Sequence, residues 1–217
     1  MRDIMGGEKS TRANGRATRE RLLTTAAELF SNHGYEATSL RKIASQAGVD
    51  IATLKYHFKD KPGIFGEIYR DGHEQFLQTV EPVLEGLDRV RTREDLRVLL
   101  DDLVVRMHGF VETHFYFLRI VLFRMLEEVA DVVRIEDELQ AIALSRLTAK
   151  FQRLVDIGVM RPVDTRALVI FLVSSFTTWH VTGRVKESWF GRPTLVSDAG
   201  RARSEAFFLD LFDQYVL

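Results

Sequence analysis

The sequence contains no cysteine and only four prolines, Pro62, Pro82, Pro162 and Pro193. The lack of cysteine excludes disulfide scaffolds, thiolate metal sites and cysteine nucleophiles. No apolar run reaches the roughly 18 residues that a membrane-spanning helix requires, and residues 1–10 contain no apolar segment typical of a secretory signal. We therefore expect a cytoplasmic protein with no membrane partner.

The chain also has little net charge, because 30 Lys and Arg residues nearly balance 31 Asp and Glu residues. The balance conceals an asymmetry, since residues 1–61 carry a net charge of +4 and the rest of the chain carries −5. A basic segment on an acidic body predicts that the basic segment meets a polyanion.

Apolar residues recur at spacings of three and four, with no alternation typical of strands, which predicts an all-α fold. The polar residues 1–16, with two glycine-containing turns, are interpreted as a flexible basic arm. Thr38 or Ser39 caps a short helix ending near Gln46, and Asp50 caps another ending at His57. The longer helices are predicted at about 17–32, 61–87, 93–112, 114–128, 131–157, 164–187 and 198–215.

The segment from Leu40 to Phe58 has the spacing of a helix-turn-helix, in which two short helices cross at a small residue beside a tight turn. The residues that carry the pattern are Ile43, Ala44, Gly48, Val49 and Leu54. An ordinary αα-hairpin with glycine in its turn has similar spacing. The basic charge of residues 1–61 favours the helix-turn-helix.

Residues 38–61, TSLRKIASQAGVDIATLKYHFKDK, resemble the DNA-binding signature of the tetracycline-repressor (TetR) family. The upstream runs AAELF and GYEAT are similar to that family's first helix and the turn after it. The resemblance implies a three-helix DNA-binding domain at 17–61, hereafter the head. It also implies a six-helix ligand-binding and dimerisation domain at 62–217, hereafter the body.

Two residues of the signature depart from the family's pattern. Lys55 stands where tyrosine usually follows the central leucine, and Tyr56 comes next. Asp50 stands where serine is common, and both residue types cap helices well. The departures bear on which bases are contacted rather than on the mode of binding.

The helix from Asp50 to His57 is predicted to enter the major groove of an operator. The residues expected nearest the base edges are Ile51, Ala52, Thr53 and Tyr56. The residues expected to contact phosphates are Thr38, Ser39, Lys55, His57 and Lys61. For His57, a packed or partly exposed position without a base contact is at least as good an interpretation.

The segments 167–176 and 206–216 are apolar nearly all round, so one side of each helix packs in the subunit and the other needs a second chain. This predicts a four-helix homodimer interface across a two-fold axis, matching a palindromic operator. A large monomeric core is the alternative.

Large side chains in the body, interleaved with polar ones, predict a small-molecule site for an apolar or aromatic effector with a polar end. The candidate lining residues are Phe76, Met107, Phe110, Phe117, Phe123 and Trp179. Filling a core is the alternative role for such aromatic stripes. The pocket itself is implied by the family resemblance.

No motif of an enzyme is complete. His73-Glu74 begins a zinc-binding H-E-x-x-H pattern, but Leu77 occupies the second histidine position. We predict no catalytic residues, metal or cofactor, and a dimeric transcriptional regulator, in the first instance a ligand-responsive repressor. The alternatives are a helical ligand-binding protein or enzyme with a degenerate helix-turn-helix, and a non-specific architectural DNA binder.

Overall fold

The computed structural model describes residues 4–127, 130–181 and 198–215. Within these ranges every regular element is a helix, which confirms the all-α fold. The helices are α1 Ile4–His33, α2 Leu40–Gln46, α3 Ile51–Phe58, α4 Lys61–Leu87, α5 Arg93–Leu126, α6 Ala130–Asp156, α7 Thr165–Val181 and α8 Asp198–Tyr215. None of the described helices is long and apolar enough to cross a membrane.

The caps predicted for the two short helices form as expected, and a further cap forms at the start of α5. Ser39 accepts the N–H of Lys42 at the start of α2 (3.2 Å), so Ser39 rather than Thr38 is the cap. Asp50 caps α3, and Thr92 and Asp95 form a reciprocal capping box at the start of α5. Each cap satisfies backbone N–H groups that have no partner inside the helix.

Two helix boundaries differ from the prediction. α1 begins at Ile4, so residues 4–16 continue the helix instead of forming a separate arm. The residues between the glycines of this segment favour helix formation. The later turns of α1 are packed against the core, and the helix extends from them toward the N-terminus. The helices predicted at 93–112 and 114–128 form one element, α5, with a kink at His114 (φ −124°, ψ 31°). The predicted end of 164–187 lies outside the described residues.

The head and the start of the body share one core. Leu22 of α1, Ile43 of α2 and Leu54 of α3 are fully buried together, and α4 adds Phe65 and Tyr69. An aromatic cluster, defined as Phe30, Tyr35, Phe65, Tyr69 and Phe117, runs through this core with neighbouring ring centroids 5.0–5.8 Å apart. The head is therefore packed directly onto α4 and α5.

A second core lies further along the body, where the end of α4 and the first half of α5 meet α6, α7 and α8. Its buried members are mostly aliphatic, among them Leu84, Leu100, Val104, Leu154 and Val169. The predicted boundary between residues 61 and 62 falls at the start of α4. Because α4 contributes to both cores, it joins the head to the body as one continuous helix.

Candidate nucleic-acid interface and apolar cavity

The turn between α2 and α3 is built as a helix-turn-helix requires. Gly48 adopts a positive φ of 67°, and the N–H of Val49 donates to the carbonyl of Ala44 (3.0 Å). From α1, the Nε of Arg21 donates to the carbonyl of Ala47 at the end of α2 (2.9 Å). The turn is thus held from within and by the first helix.

α3 presents one face to the core and the other to solvent. Leu54 and Phe58 are buried, whereas Ile51, Ala52 and Lys55 are exposed and Thr53 is half-buried. Tyr56 is 86% exposed, with its ring edge-on to that of His57 at 5.2 Å between centroids. A large aromatic side chain held away from the core is free to contact a partner molecule.

Asp50 fixes the start of this helix. Its carboxylate accepts the N–H of Thr53 at 2.6 Å, and this backbone hydrogen bond holds the pKa of Asp50 below its ordinary value. The cap also leaves the exposed N-terminal turn, with Ile51 and Ala52, ordered for contact.

Exposed cations flank the helix-turn-helix. Arg41 and Lys42 are exposed in the first turn of α2, and Lys59 is exposed at the end of α3. Sequence reasoning left these three out of the contact set, although they stand beside Ser39 and Lys61 in the same signature. Exposed guanidinium and ammonium groups of this kind neutralise phosphates.

Two predicted phosphate contacts have other roles in the structure. Thr38 is 1% exposed, and its hydroxyl donates to the carbonyls of Gly34 (2.9 Å) and Leu29 (3.3 Å). The Thr38 side chain closes the end of α1, and its expected contact with a phosphate stays a prediction. Lys61 is half-buried, with Nζ 4.0 Å from the ring centroid of Tyr35 and 3.5 Å from the carbonyl of Glu36.

The junction between α3 and α4 is a tight turn. Lys59 has φ 63° and ψ −62°, and the N–H of Asp60 donates to the carbonyl of Phe58 (2.7 Å), which closes a γ-turn. Asp60 then caps α4 by accepting the N–H of Gly63 (2.8 Å). A Cβ on Gly63 would collide with the carbonyl of Phe58, so glycine is required there. The exposed helix α3 is therefore joined to α4 with little slack.

The end of α5 is fastened to the end of α1. Arg119 Nε donates to the carbonyl of Ser31 (2.7 Å), and Glu127 accepts the N–H of Tyr35 (3.1 Å). Gly34, at φ 79°, passes so close that a Cβ there would collide with the Glu127 carboxylate. We call these contacts the α1–α5 latch. The latch lies beyond the His114 kink from the part of α5 in the second core.

The body encloses a cavity of about 170 Å³ between α4, α5, α6, α7 and α8. The lining residues are Phe76, Leu77, Val80, Val83, Leu84, Leu87, Leu100, Leu103, Val104, Met107, Leu118, Ala143, Leu144, Leu147, Phe151, Leu172, Val173, Phe176, Thr177, Phe208 and Phe212. Thr177 is the one polar side chain among them. The cavity suits an apolar molecule that carries no charge.

Of the six predicted lining residues, only Phe76 and Met107 line this cavity. Phe110 and Phe117 belong to the core shared with the head, where the Phe117 ring is seated on Gly72. Phe123 packs beside Gly34, and Trp179 stacks on Phe207 at 5.2 Å between centroids. These four side chains lie outside the lining of this cavity, because helical periodicity does not reveal where in the body an aromatic side chain packs.

The outer side of α7 carries exposed apolar side chains, and α8 exposes one large apolar side chain. Ile170 and Phe171 on α7 are 61% and 52% exposed, and Phe207 on α8 is 47% exposed. On the opposite sides of the same helices, Val169 and Phe208 are buried. α7 therefore carries the two apolar sides that the sequence predicted, whereas the outer side of α8 is apolar at Phe207 and polar at Asp210 and Gln214.

Comparison with known proteins places these features in a family. A sequence model described as "Bacterial regulatory proteins, tetR family" matches residues 22–68, the helix-turn-helix and the start of α4. The probable HTH-type transcriptional regulator YttP of Bacillus subtilis is 29% identical over 93 residues, which are 43% of this chain and 45% of YttP. The HTH-type transcriptional regulator AcrR of Shigella flexneri is 41% identical over 61 residues, 28% of each chain.

The chain thus matches less than half the length of these curated relatives. The likeness to solved structures extends further. The TetR-family transcriptional regulator PfmR of Thermus thermophilus superposes with a TM-score of 0.59 at 26% identity, over 74% of this chain and 85% of PfmR. The head therefore matches the signature of the TetR family of bacterial regulatory proteins, and the fold through most of the body is similar to that of a solved TetR-family regulator.

Proposed function

We propose that the protein is a sequence-specific DNA-binding transcriptional regulator that acts as a homodimeric repressor and is released by a small apolar effector. The observation that carries the proposal is the exposed face of α3, with Tyr56 86% exposed on a rigid helix-turn-helix. The relatives described above are named as transcriptional regulators rather than as enzymes. A regulator that acts on bacterial DNA works in the cytoplasm, and this is the location that we propose for the protein.

In this proposal α3 lies in the major groove, with Ile51, Ala52 and Tyr56 facing the base edges and Thr53 at their side. Apolar groups there contact thymine methyls, and the Tyr56 hydroxyl donates to or accepts from base edges. Lys55 neutralises a phosphate as a flexible point charge, beside the exposed cations of α2. Ser39 and His57 stand at the rim of the same face.

The occupant proposed for the outer face of α7 and α8 is a second copy of this chain. Phe171 and Phe207 supply large exposed apolar surface on adjacent helices, and a two-fold axis through them buries the same patch of both subunits. Two heads related by that axis meet half-sites about 34–36 Å apart on one side of the duplex. A palindromic operator follows from this symmetry.

The effector is proposed to occupy the apolar cavity and to act through α4 and α5, since both helices line it and both reach the head. A ligand that favours a different spacing of the heads weakens operator binding by its differential affinity for the two states. A coupling of about 1–3 kcal/mol corresponds to a 5–150-fold change.

The experiment is selection of operators from a random duplex library, followed by fluorescence anisotropy of the selected DNA at fixed salt. Wild-type protein is expected to enrich a palindrome, and Tyr56→Ala to enrich a different or weaker sequence. Tyr56→Phe keeps the ring and isolates the hydroxyl, while Val98→Ala, on an exposed part of α5, serves as the control. Enrichment of no sequence by the wild-type protein contradicts the proposal.

A further inference from the structure

Three helix faces that line the cavity each continue to a titratable residue one turn further on. His108 follows Val104 by four residues on α5, and His180 follows Phe176 by four on α7. Glu205 precedes Phe208 by three residues on α8. Residues at these spacings share a helix face, so the three polar groups converge at one end of the cavity.

The contacts show this convergence directly. The rings of His108 and His180 lie 5.2 Å apart, edge to face, and Glu205 Oε1 is 3.9 Å from His108 Nδ1. The Phe176 ring, which lines the cavity, has its centroid 4.1 Å from that of His180 and 6.5 Å from that of His108. Phe176 therefore contacts both the apolar cavity and this polar end.

His108 has one committed nitrogen and one uncommitted nitrogen. Nδ1 lies 2.8 Å from the carbonyl of Val104, and because a carbonyl only accepts, Nδ1 carries the proton. Nε2 of the neutral ring is then an acceptor, and within the described residues it is buried without a hydrogen-bond partner. The residue is only 4% exposed, so the missing partner is not bulk solvent.

A buried acceptor beside a cavity is a place where a ligand gains a hydrogen bond that folding leaves unmade. We infer that this end of the cavity is a recognition subsite for a hydroxyl group, which donates to His108 Nε2 as the Phe176 ring turns aside. The inference rests on the proposed effector site and names the class of effector. That class is a small uncharged alcohol or phenol, about the size of one ring, with a single hydroxyl group.

Size and charge define the class. A cavity of ~150 Å³ in another protein accepts benzene, and this one is about 170 Å³. A charged group is disfavoured, because the described lining contains no cation to pair with an anion and Glu205 adds negative charge at the polar end. A phenol or a short alcohol fits where a phenolate or carboxylate does not.

The test compares two probes that differ by one hydroxyl, p-cresol and toluene, by calorimetry on the full chain. The ratio of the affinity for p-cresol to the affinity for toluene is expected to be roughly fivefold higher in the wild-type protein than in His108→Phe. This factor corresponds to one net hydrogen bond. His108→Gln, whose side-chain carbonyl accepts, is expected to restore much of that preference. Circular dichroism melting establishes that each variant is folded.

A measurement on the wild-type protein needs no variant. The ¹⁵N resonance of His108 Nε2 is expected to shift on adding p-cresol and to stay in place on adding toluene. Binding of both probes with the same preference in wild type and His108→Phe, and no ¹⁵N shift, overturns the hydroxyl subsite and leaves the effector cavity standing. Binding of neither probe up to its solubility overturns this class of effector, while operator selection tests DNA binding separately.

Discussion

The two cores of this protein differ in the side chains that fill them and in how completely they are filled. The core under the head is closed by the aromatic cluster, with rings at 5.0–5.8 Å from their neighbours. The core of the body is mainly aliphatic and keeps a cavity of about 170 Å³. A filled core has one arrangement, whereas a core with a cavity adjusts to an occupant. The contrast fits the proposed function, in which the head holds its shape on DNA and the body responds to a ligand.

The largest expected effect on the free energy of unfolding comes from truncating one leucine in each core. Leu22 in the head and Leu100 at the cavity are both almost fully buried. Leu22→Ala is expected to lower the free energy of unfolding by about 4–5 kcal/mol and Leu100→Ala by about 2–3 kcal/mol. The difference arises because Leu100 has fewer neighbours to lose on its cavity side. Urea denaturation followed by circular dichroism measures both values, and equal losses would remove the distinction between the cores.

The second-largest loss of unfolding free energy is expected at the α1–α5 latch, which connects the head to the body. Gly34→Ala places a Cβ at φ 79° and against the Glu127 carboxylate. The expected loss is about 1–3 kcal/mol of unfolding free energy, from backbone strain and displacement of Glu127. Operator affinity is expected to fall as well, since the latch sets the head against α5.

Gly15→Ala is the matched control for that glycine. Gly15 lies within α1, and no heavy atom lies within 4 Å of the position where its Cβ would stand. The substitution is expected to raise the free energy of unfolding by up to about 1 kcal/mol, through helix propensity alone. Similar destabilisation by the two alanine variants would show that the latch is not what distinguishes Gly34.

Acid titration gives the smallest effect and compares one cap in each region. Backbone N–H groups hold the pKa values of Asp50 and Asp95 below their ordinary value of 3.8. A lowered folded-state pKa contributes stability above the unfolded-state value, and this contribution is lost as the pH falls through and below 3.8. Asp50→Asn and Asp95→Asn keep the caps and are each expected to flatten the acid limb of unfolding free energy against pH. If neither variant flattens the acid limb of this plot, the acid sensitivity of the protein comes from other carboxylates.

Sequence reasoning located the head well, because its evidence is local. Ile43, Gly48 and Leu54 carry their roles within a short segment, and Ser39 and Asp50 mark helix starts directly. The cavity was located poorly, because its lining depends on how five helices converge. Leu144 and Phe208 are separated from Phe76 by long stretches of chain yet line the same space. The burial of Thr38 could not be predicted either, because it depends on contacts to the end of α1.

The tight γ-turn at Lys59 has a mechanical consequence, since it leaves α3 and α4 to move as one lever. At about 1.5 Å per residue, Gly72 divides α4 into arms of roughly 17 Å toward the head and 22 Å toward the cavity. With the Phe117 ring seated on Gly72 as a fulcrum, a displacement of about 1 Å at the cavity end moves the head end by roughly 0.8 Å in the opposite sense. In the proposed two-fold dimer the opposed motions would add, so a ligand in the cavity would change the separation of the two α3 helices by more than its own displacement.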